Sequence, residues 1–350
     1  MKKIFVVGSL NMDLRIESPY MPKAGETITG SGFITNGGGK GANQAVAAAK
    51  LGGSVRMCGV AGNDAFGKTL IDNLTSAGAD ASRIRIAPDA PTGIAVIIVA
   101  EGNNRIILDK GTNALLSKND IDEFLTEATA GDIYLTQLEN SMDVIGYGLK
   151  KAKEKGMFTI LNPAPANGEI AKFFPFVDLI TPNETELEIF GGKEGLFSKG
   201  INTIVTTLGA NGYEIADRYG ARRYPCIKVK AVDTTAAGDT LCGGLAVGLS
   251  QGKSLEESCG FGSLAASISA FACTQDVMKR TNRVRNVRIR RKRRQAQPHR
   301  AGLKRARSTV RDRRTVQPRD AGDVVRARFK PVGQLLRHGL EHTLRTRAAV

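Results

Sequence analysis

The stretch VDTTAAGDTLCGG, residues 232–244, sets two carboxylates, Asp233 and Asp239, among small side chains just before an apolar run. The run from Ala236 to Leu249 predicts a buried helix with residues 234–238 as its first turn. Unpaired N–H groups and the positive end of the helix dipole suit such a turn to anions. Asp239 could accept a proton there, and Asp233 could help to hold a cation. Both acids could equally cap a helix start, so this stretch alone leaves two interpretations.

The charge of the chain is divided unevenly along its 350 residues. The net charge is +16, yet residues 1–273 carry 26 basic and 29 acidic side chains, whereas residues 274–350 carry 24 basic and 5 acidic ones. The basic residues also change from mostly Lys to mostly Arg. This break predicts a folded domain over residues 1–273 followed by a basic tail over residues 274–350.

Cysteine usage and hydropathy indicate the compartment. The five cysteines are scattered without the pairing of a metal site, and no signal peptide is evident. We therefore expect reduced thiols and a cytoplasmic protein. No apolar run approaches the length of a membrane span, so no membrane partner is expected.

Strand-like and helix-like patterns alternate through the first 273 residues. Strands are predicted at residues 3–8, 55–60, 132–138, 158–162, 179–181 and 203–209. Helices are predicted at Ala42–Leu51, Ala65–Ala77, Lys118–Ala128 and Ser141–Lys155. Such alternation predicts a three-layer α/β fold, with a mostly parallel sheet between helices. Two strand-rich segments without helices, residues 13–34 and 93–108, predict a small β lid, the second as a hairpin turning at residues 102–104.

A glycine-rich run, NGGGKGANQAVAAAKLG at residues 36–52, precedes the first predicted helix. It is not a Walker loop, because Gly41 follows Lys40 where Ser or Thr would stand and no strand runs directly into it. Gly39 and its neighbours would let a small polar ligand approach the backbone, with Lys40 and Asn43 as donors. A flexible loop before an amphipathic helix is the alternative.

Polar side chains cluster at predicted strand ends. Asn11 and Asp13 share one face by two-residue alternation, and Glu139 ends another strand. Ligands bind beyond the carboxyl ends of strands in open α/β sheets. Each residue alone could be a solvated loop residue, but together with Asn43 they are typical of a clamp for sugar hydroxyls.

Two further strand ends carry groups suited to phosphates. Asn183 and Glu186 in NETE have the spacing of a capping box, so Asn183 is predicted as an N-cap. Thr207 and Gly209 follow the strand at residues 203–209. A cap alone would explain the first pair.

These motifs occur together and in order. DTTAAGD and NGGGKGANQAVAAAKLG are joined by GSLNMD (8–13), GVAGNDAFGKTL (59–70), LTQLE (135–139), NPAPA (162–166), TPNETE (181–186) and TTLGANG (206–212). The set resembles the ribokinase-like (PfkB) family of carbohydrate and nucleoside kinases over essentially all of residues 1–270. The resemblance implies transfer of the γ-phosphate of ATP to a primary hydroxyl, with the 5-hydroxyl of D-ribose as the first candidate and another sugar or a nucleoside as the alternative.

The resemblance also implies roles for residues. The pentose would be bound by Asn11, Asp13, Gly39, Lys40, Asn43, Glu139 and Asp239, with Asp239 as the base. The N–H groups of Ala236, Ala237 and Gly238 would form an anion hole. The nucleotide would contact Asn183, Thr207, Gly209 and Gly238. Glu186 would order Mg²⁺ through water, Asp233 and Thr235 would bind a monovalent cation such as K⁺, and two copies could pair through the lid.

The resemblance ends near residue 271. A helix predicted from Ser254 to Ala270 is followed in the family by a small-residue loop, which supplies adenine and cation contacts, and by a final helix. Here an Arg-rich sequence follows instead, as a shifted reading frame or a fusion would produce. Its composition predicts disorder and non-specific nucleic-acid binding. Three functions remain open: a sugar kinase, a nucleic-acid-binding protein, or a kinase impaired by its altered end.

Overall fold

The computed structural model describes residues 1–229 and 234–271. Its strands are β1 (Lys3–Val7), β2 (Asn11–Ser18), β3 (Ser31–Gly38), β4 (Ser54–Gly62), β5 (Asp80–Ala87), β6 (Gly93–Ala100), β7 (Asn103–Asp109), β8 (Ile133–Thr136), β9 (Phe158–Leu161), β10 (Leu179–Ile180), β11 (Thr203–Thr207), β12 (Tyr213–Asp217) and β13 (Gly220–Tyr224). Its α-helices are α1 (Lys40–Lys50), α2 (Ala65–Ala77), α3 (Lys118–Leu125), α4 (Met142–Glu154), α5 (Glu184–Ile189), α6 (Gly192–Ser198), α7 (Ala237–Ser250) and α8 (Leu255–Phe271).

The central sheet confirms the predicted α/β architecture. Within the described ranges it has nine strands in the order β13-β12-β11-β10-β9-β8-β1-β4-β5. Pairing is parallel from β5 to β11, whereas β11, β12 and β13 pair antiparallel. The carboxyl ends of β1, β8, β9, β10 and β11 therefore meet at one edge of the sheet.

Side-chain alternation along β1 divides the core into two layers. Phe5 and Val7 pack with residues of α3 and α4. Ile4 and Val6 face the opposite way, toward residues of α1 and α7. Each strand of the sheet centre thus buries both faces, which is why these strands read as continuous apolar runs.

The lid is a separate four-stranded sheet in the order β3-β2-β6-β7. The predicted lid segment, residues 13–34, was too short, because β2 already begins at Asn11 and β3 continues to Gly38. Asn11 and Asp13 consequently lie in the first lid strand, opposite Gly38 and Asn36, and not at the end of β1. The hairpin of β6 and β7 is confirmed, but its turn lies at Glu101 and Gly102, because Asn103 already pairs with Ala100, and not at the predicted residues 102–104.

Helix bounds agree closely with the sequence patterns, with small shifts. The first helix begins at Lys40, two residues before the predicted start, and α2 has the predicted bounds. No helix within residues 1–229 and 234–271 is long and apolar enough to cross a membrane. The predicted tail, residues 274–350, and its boundary at residue 273 lie outside the described residues and remain predictions.

Candidate functional site

Asp239 lies in the first turn of α7 and is almost fully buried, with 7 % of its surface exposed. Its Oδ1 accepts a hydrogen bond of 3.0 Å from Gln44 Nε2, and its Oδ2 accepts one of 3.0 Å from Asn43 Nδ2. Burial raises the pKa of Asp239, while the charge of Lys40 and the two amide donors oppose that rise. The result is a fixed carboxylate with raised basicity, which can accept a proton.

The helices pack closely where this carboxylate sits. A Cβ on Gly243 of α7 would stand 2.8 Å from the carbonyl oxygen of Gln44 on α1. Any larger side chain at Gly243 would push the two helices apart. This close approach explains how residues 43 and 44 reach a carboxylate on α7.

Two more carboxylates lie near Asp239. Burial, with the negative charges of Glu139 and Asp239, raises the pKa of Asp13 to about 6. Glu139 Oε2 accepts hydrogen bonds from the Lys40 backbone N–H at 3.0 Å and from Ser9 Oγ. Three acceptor groups from β2, the end of β8 and α7 therefore face a common region, which suits a ligand rich in hydroxyl groups.

Gly38 makes room for the lid carboxylate. A Cβ at this position would lie 2.4 Å from Asp13 Oδ1. Gly39, the next residue, has φ 87° and is the N-cap of α1, a backbone conformation that favours glycine. The glycine run is thus a strand end and a helix start packed against Asp13, not the flexible loop of the alternative interpretation.

The Lys40 side chain links two parts of the site. Its positive charge lowers the pKa of Asp239, against the dominant effect of burial. The same charge also opposes the rise in the pKa of Glu186, in which the effect of burial is larger. A cation that acts on both carboxylates is well placed to meet a negatively charged group between them.

Asn183 and Glu186 form the predicted capping box at the start of α5. Asn183 Oδ1 accepts from the Glu186 N–H at 2.8 Å, and Glu186 Oε2 accepts from the Asn183 N–H at 2.9 Å. Asn183 also pairs with Thr207 at the end of β11, and Gly209 begins a short 3₁₀ turn just beyond. The structure therefore brings Asn183, Glu186 and Thr207 together at the carboxyl edge of the sheet.

The turn before α7 has a strained backbone. Ala236 has φ 58°, a left-handed conformation that is uncommon for residues other than glycine. The Ala237 N–H donates to the Thr234 carbonyl at 3.1 Å, so this group, predicted as part of the anion hole, is engaged within the turn. A Cβ on Gly238 would meet no atom within 4 Å. The open space at Gly238 would let an anion approach the backbone. Asp233 lies outside the described residues.

No cluster of three or more metal-ligating side chains occurs among residues 1–229 and 234–271. Mg²⁺ bound with a nucleotide generally takes phosphate oxygens and water as ligands. Glu186 fits an outer role, because one carboxylate oxygen is used in the cap and its pKa is raised by burial. A nearby cation would stabilise its charged form.

Sequence analysis missed two residues of the site. Asn113 is buried and donates to Asn11 Oδ1 at 2.7 Å, and Gln44 contacts Asp239 as described above. Both are amides whose partners lie far away in the sequence, so no local pattern marks them. A cavity of about 170 Å³ opens beside Asn11, Asn113 and Glu139.

Comparisons with known proteins identify the family of the chain. The family model "pfkB family carbohydrate kinase" matches residues 1–273. The chain is 39 % identical to a ribokinase of Haemophilus influenzae, over 77 % of this chain and 92 % of that protein. It is 37 % identical to a deoxyribokinase of Salmonella typhi, over 69 % and 83 %.

Solved structures show the same fold. A ribokinase of Thermotoga maritima superposes with a TM-score of 0.70 at 36 % identity, covering 77 % of this chain and 93 % of that one. An Arabidopsis thaliana ribokinase complexed with ribose and ATP gives a TM-score of 0.68 at 32 % identity, covering 77 % and 92 %. The chain therefore belongs to the pfkB family of carbohydrate kinases and is a phosphotransferase of ribokinase-like fold.

Proposed function

We propose that the protein transfers the γ-phosphate of ATP to the 5-hydroxyl of D-ribose. The observation that carries this proposal is the buried Asp239 in the first turn of α7. Asn43 and Gln44 of α1 donate hydrogen bonds to its carboxylate, and the carboxylates of Asp13 and Glu139 lie near it. A sugar presents several hydroxyl groups: Asp13 and Glu139 offer acceptors, and Asn11 offers its Nδ2 as a donor, because its Oδ1 accepts from Asn113. The related ribokinases, one of them complexed with ribose and ATP, support the choice of substrate.

The residues divide the work of an in-line transfer. Asp13, Glu139 and the Asn43 amide orient the sugar so that its primary hydroxyl reaches Asp239. As the oxygen–phosphorus bond forms, Asp239 takes the hydroxyl proton, and the bond between the γ-phosphorus and the bridging oxygen breaks to release ADP. Lys40 and the N–H groups of Ala236 and Gly238, around the start of α7, stabilise the charge on the transferred group.

Few protein groups would hold the metal ions. Mg²⁺ bound with ATP would neutralise phosphate charge, with Glu186 holding its water shell beside Asn183 and Thr207. The monovalent cation at Asp233 and Thr235 remains a prediction from the sequence. The edge strand β7 of the lid is exposed on both faces, with Ile106 and Leu108 on one and Ile107 on the other, and this supports the proposal of a homodimer through the lid.

Phosphorylation assays across a panel of substrates test the proposed activity. The full-length protein would be given ATP and Mg²⁺ with D-ribose, 2-deoxyribose, other pentoses, hexoses and nucleosides. We expect the highest kcat/KM with D-ribose. A higher value with 2-deoxyribose would contradict the proposed substrate and favour the activity for which the Salmonella typhi deoxyribokinase is named. A preference for nucleosides would contradict the choice of a free sugar.

Sugar affinity should depend on pH through Asp13. Its pKa is raised to about 6, so its carboxyl becomes neutral below that pH and accepts hydroxyl protons less well. The dissociation constant for D-ribose should therefore be constant near neutral pH and rise roughly tenfold per unit well below pH 6. Titration calorimetry measures it without turnover. Asp13→Asn should bind weakly with little pH dependence, and an unchanged constant for the natural protein down to about pH 5 would contradict the assignment.

The basic tail supports a second, additional activity. Residues 274–350 carry a large positive excess, which favours contacts with phosphate backbones. We expect the full-length chain to bind DNA without sequence preference, with affinity falling steeply as salt rises. A version that ends at Cys273 should lose this binding and keep its kinase activity. Loss of folding or of activity in that version would show that the tail belongs to the kinase domain.

A further inference from the structure

Gln44 is a fully buried amide in the second turn of α1, and every polar group of its side chain is engaged. Its Nε2 donates to Asp239 Oδ1 at 3.0 Å and to Asn162 Oδ1 at 3.2 Å. Its Oε1 accepts from Gln137 Nε2 at 2.6 Å. The amide therefore connects the carboxylate on α7 with residues that follow β8 and β9.

The ionised carboxylate of Asp239 determines which atom of the Gln44 amide donates and which accepts. An ionised Asp239 can only accept, so Gln44 must present its nitrogen to it and its oxygen to Gln137. Asn162 accepts from Gln44 because its own nitrogen donates to the Thr181 carbonyl at 2.9 Å. Rotating the Gln44 amide by half a turn would place its oxygen against the carboxylate, so the network specifies one arrangement.

One acceptor of this network has no donor. Gln137 Oε1 is buried without a hydrogen-bond partner among the described residues. It lies where a Cβ on Gly8 would come within 2.2 Å, so the glycine leaves room for the oxygen but offers no donor. A buried acceptor without a partner destabilises a fold. The chain thus keeps a buried oxygen that lowers its stability, which points to a role of the network other than stability.

We propose that Gln44 is a positioning residue that fixes the orientation of the Asp239 carboxylate for proton transfer, with Gln137 and Asn162 fixing Gln44 in turn. The inference rests on the proposed role of Asp239 as the base. With Gln44 on Oδ1 and Asn43 on Oδ2, rotation of the carboxylate breaks at least one hydrogen bond. Proton transfer depends on such alignment, so losing the Gln44 contact should slow turnover more than it weakens substrate binding.

The test replaces Gln44 by methionine, which has similar length but no amide. We expect kcat to fall by roughly 10- to 100-fold and the KM for the sugar to change by less than about threefold. The acid limb of the kcat profile should also move to higher pH, because the charged carboxylate loses a donor. The substitution leaves in place the other titratable groups that interact electrostatically with Asp239, which are Asp13, Lys40, Glu139, Glu186 and Cys242.

The control variant is Thr159→Val, which removes a buried hydroxyl bonded to Asp178 near the opposite end of β9. It should lower the melting temperature without moving kcat or its pH profile. If Gln44→Met does not fold, Gln137→Met decides the question, since it should lower kcat several-fold in the same way by releasing Gln44. A normal kcat and an unmoved acid limb in the folded variants would overturn the inference.

Asp239→Asn, measured in parallel, separates this inference from the proposed function. An inactive Asp239→Asn together with a fully active Gln44→Met would refute the positioning role alone. An active Asp239→Asn would refute the base and the positioning role together.

Discussion

Asp239→Asn is expected to lower kcat by roughly 10²-fold or more while the protein still binds the sugar. Asparagine keeps the shape of the side chain but cannot take up the hydroxyl proton. Its amide nitrogen must also face one of the two amide donors that now contact the carboxylate, Gln44 or Asn43, so one hydrogen bond is lost. Steady-state kinetics and calorimetric titration with the sugar would measure the two effects separately.

Folding must be checked in the same variant, because Asp239 is buried in a packed region. The melting temperature of Asp239→Asn, with Thr159→Val as the buried-polar control, shows whether a loss of activity reflects a loss of structure. Turnover near that of the natural protein would remove Asp239 from the mechanism.

Asp13→Ala is expected to weaken sugar binding by about 1.5–3 kcal/mol, a factor of roughly ten to one hundred and fifty, because the hydroxyl groups lose a charged acceptor. ATP binding should hardly change, since Asp13 belongs to the lid whereas Asn183 and Thr207 lie at the carboxyl edge of the central sheet. The KM values for sugar and ATP, each measured at saturation of the other substrate, separate the two sites.

Glu17→Ala is the matched control for this variant. Glu17 lies four residues further along β2, is exposed, and pairs with Arg15. Its removal takes the same charge from the same strand and should leave both KM values unchanged. If ATP affinity collapsed with Asp13→Ala, the residue would support the fold instead of the sugar site.

The elements with strong local signals were predicted from the sequence. The bounds of α2 were correct, because Asp64 caps its start and Gly78, with φ 93°, ends it. The capping box of α5 was correct for the same reason: its two partners are three residues apart. The parallel sheet followed from apolar runs whose two faces are both buried.

The elements that were missed carry weak local signals. Strand β5 is an edge strand with arginines at alternate positions, and these arginines are partly satisfied by Asp120 and Glu127 from distant segments. The antiparallel hairpin of β12 and β13 is short and polar on its outer strand. β5 and β13 are the two edge strands of the central sheet, and an edge strand needs only one neighbour, so neither of them shows the apolar run of a central strand.

The sequence predicted individual residues of the candidate site but not the hydrogen bonds that join them. Asp239 and Asn43 were identified from motifs, yet the hydrogen bond between them joins residues 196 positions apart. Gln44 reads as one more helical residue in α1, and only its position against α7 and β8 reveals its contacts. Asn113, in the short 3₁₀ turn after β7, is likewise marked only by its long-range contacts with Leu10 and Asn11.

The most direct test of the proposed activity is the position of the phosphate in the product. The full-length protein would be incubated with ATP, Mg²⁺ and D-ribose, and the products followed by ³¹P and ¹³C nuclear magnetic resonance. The proposal predicts ribose phosphorylated on the 5-oxygen, in equal amount to the ADP formed, and a rate of formation lower by roughly 10²-fold or more with Asp239→Asn. Ribose left unphosphorylated, or phosphorylated on another oxygen, would contradict it.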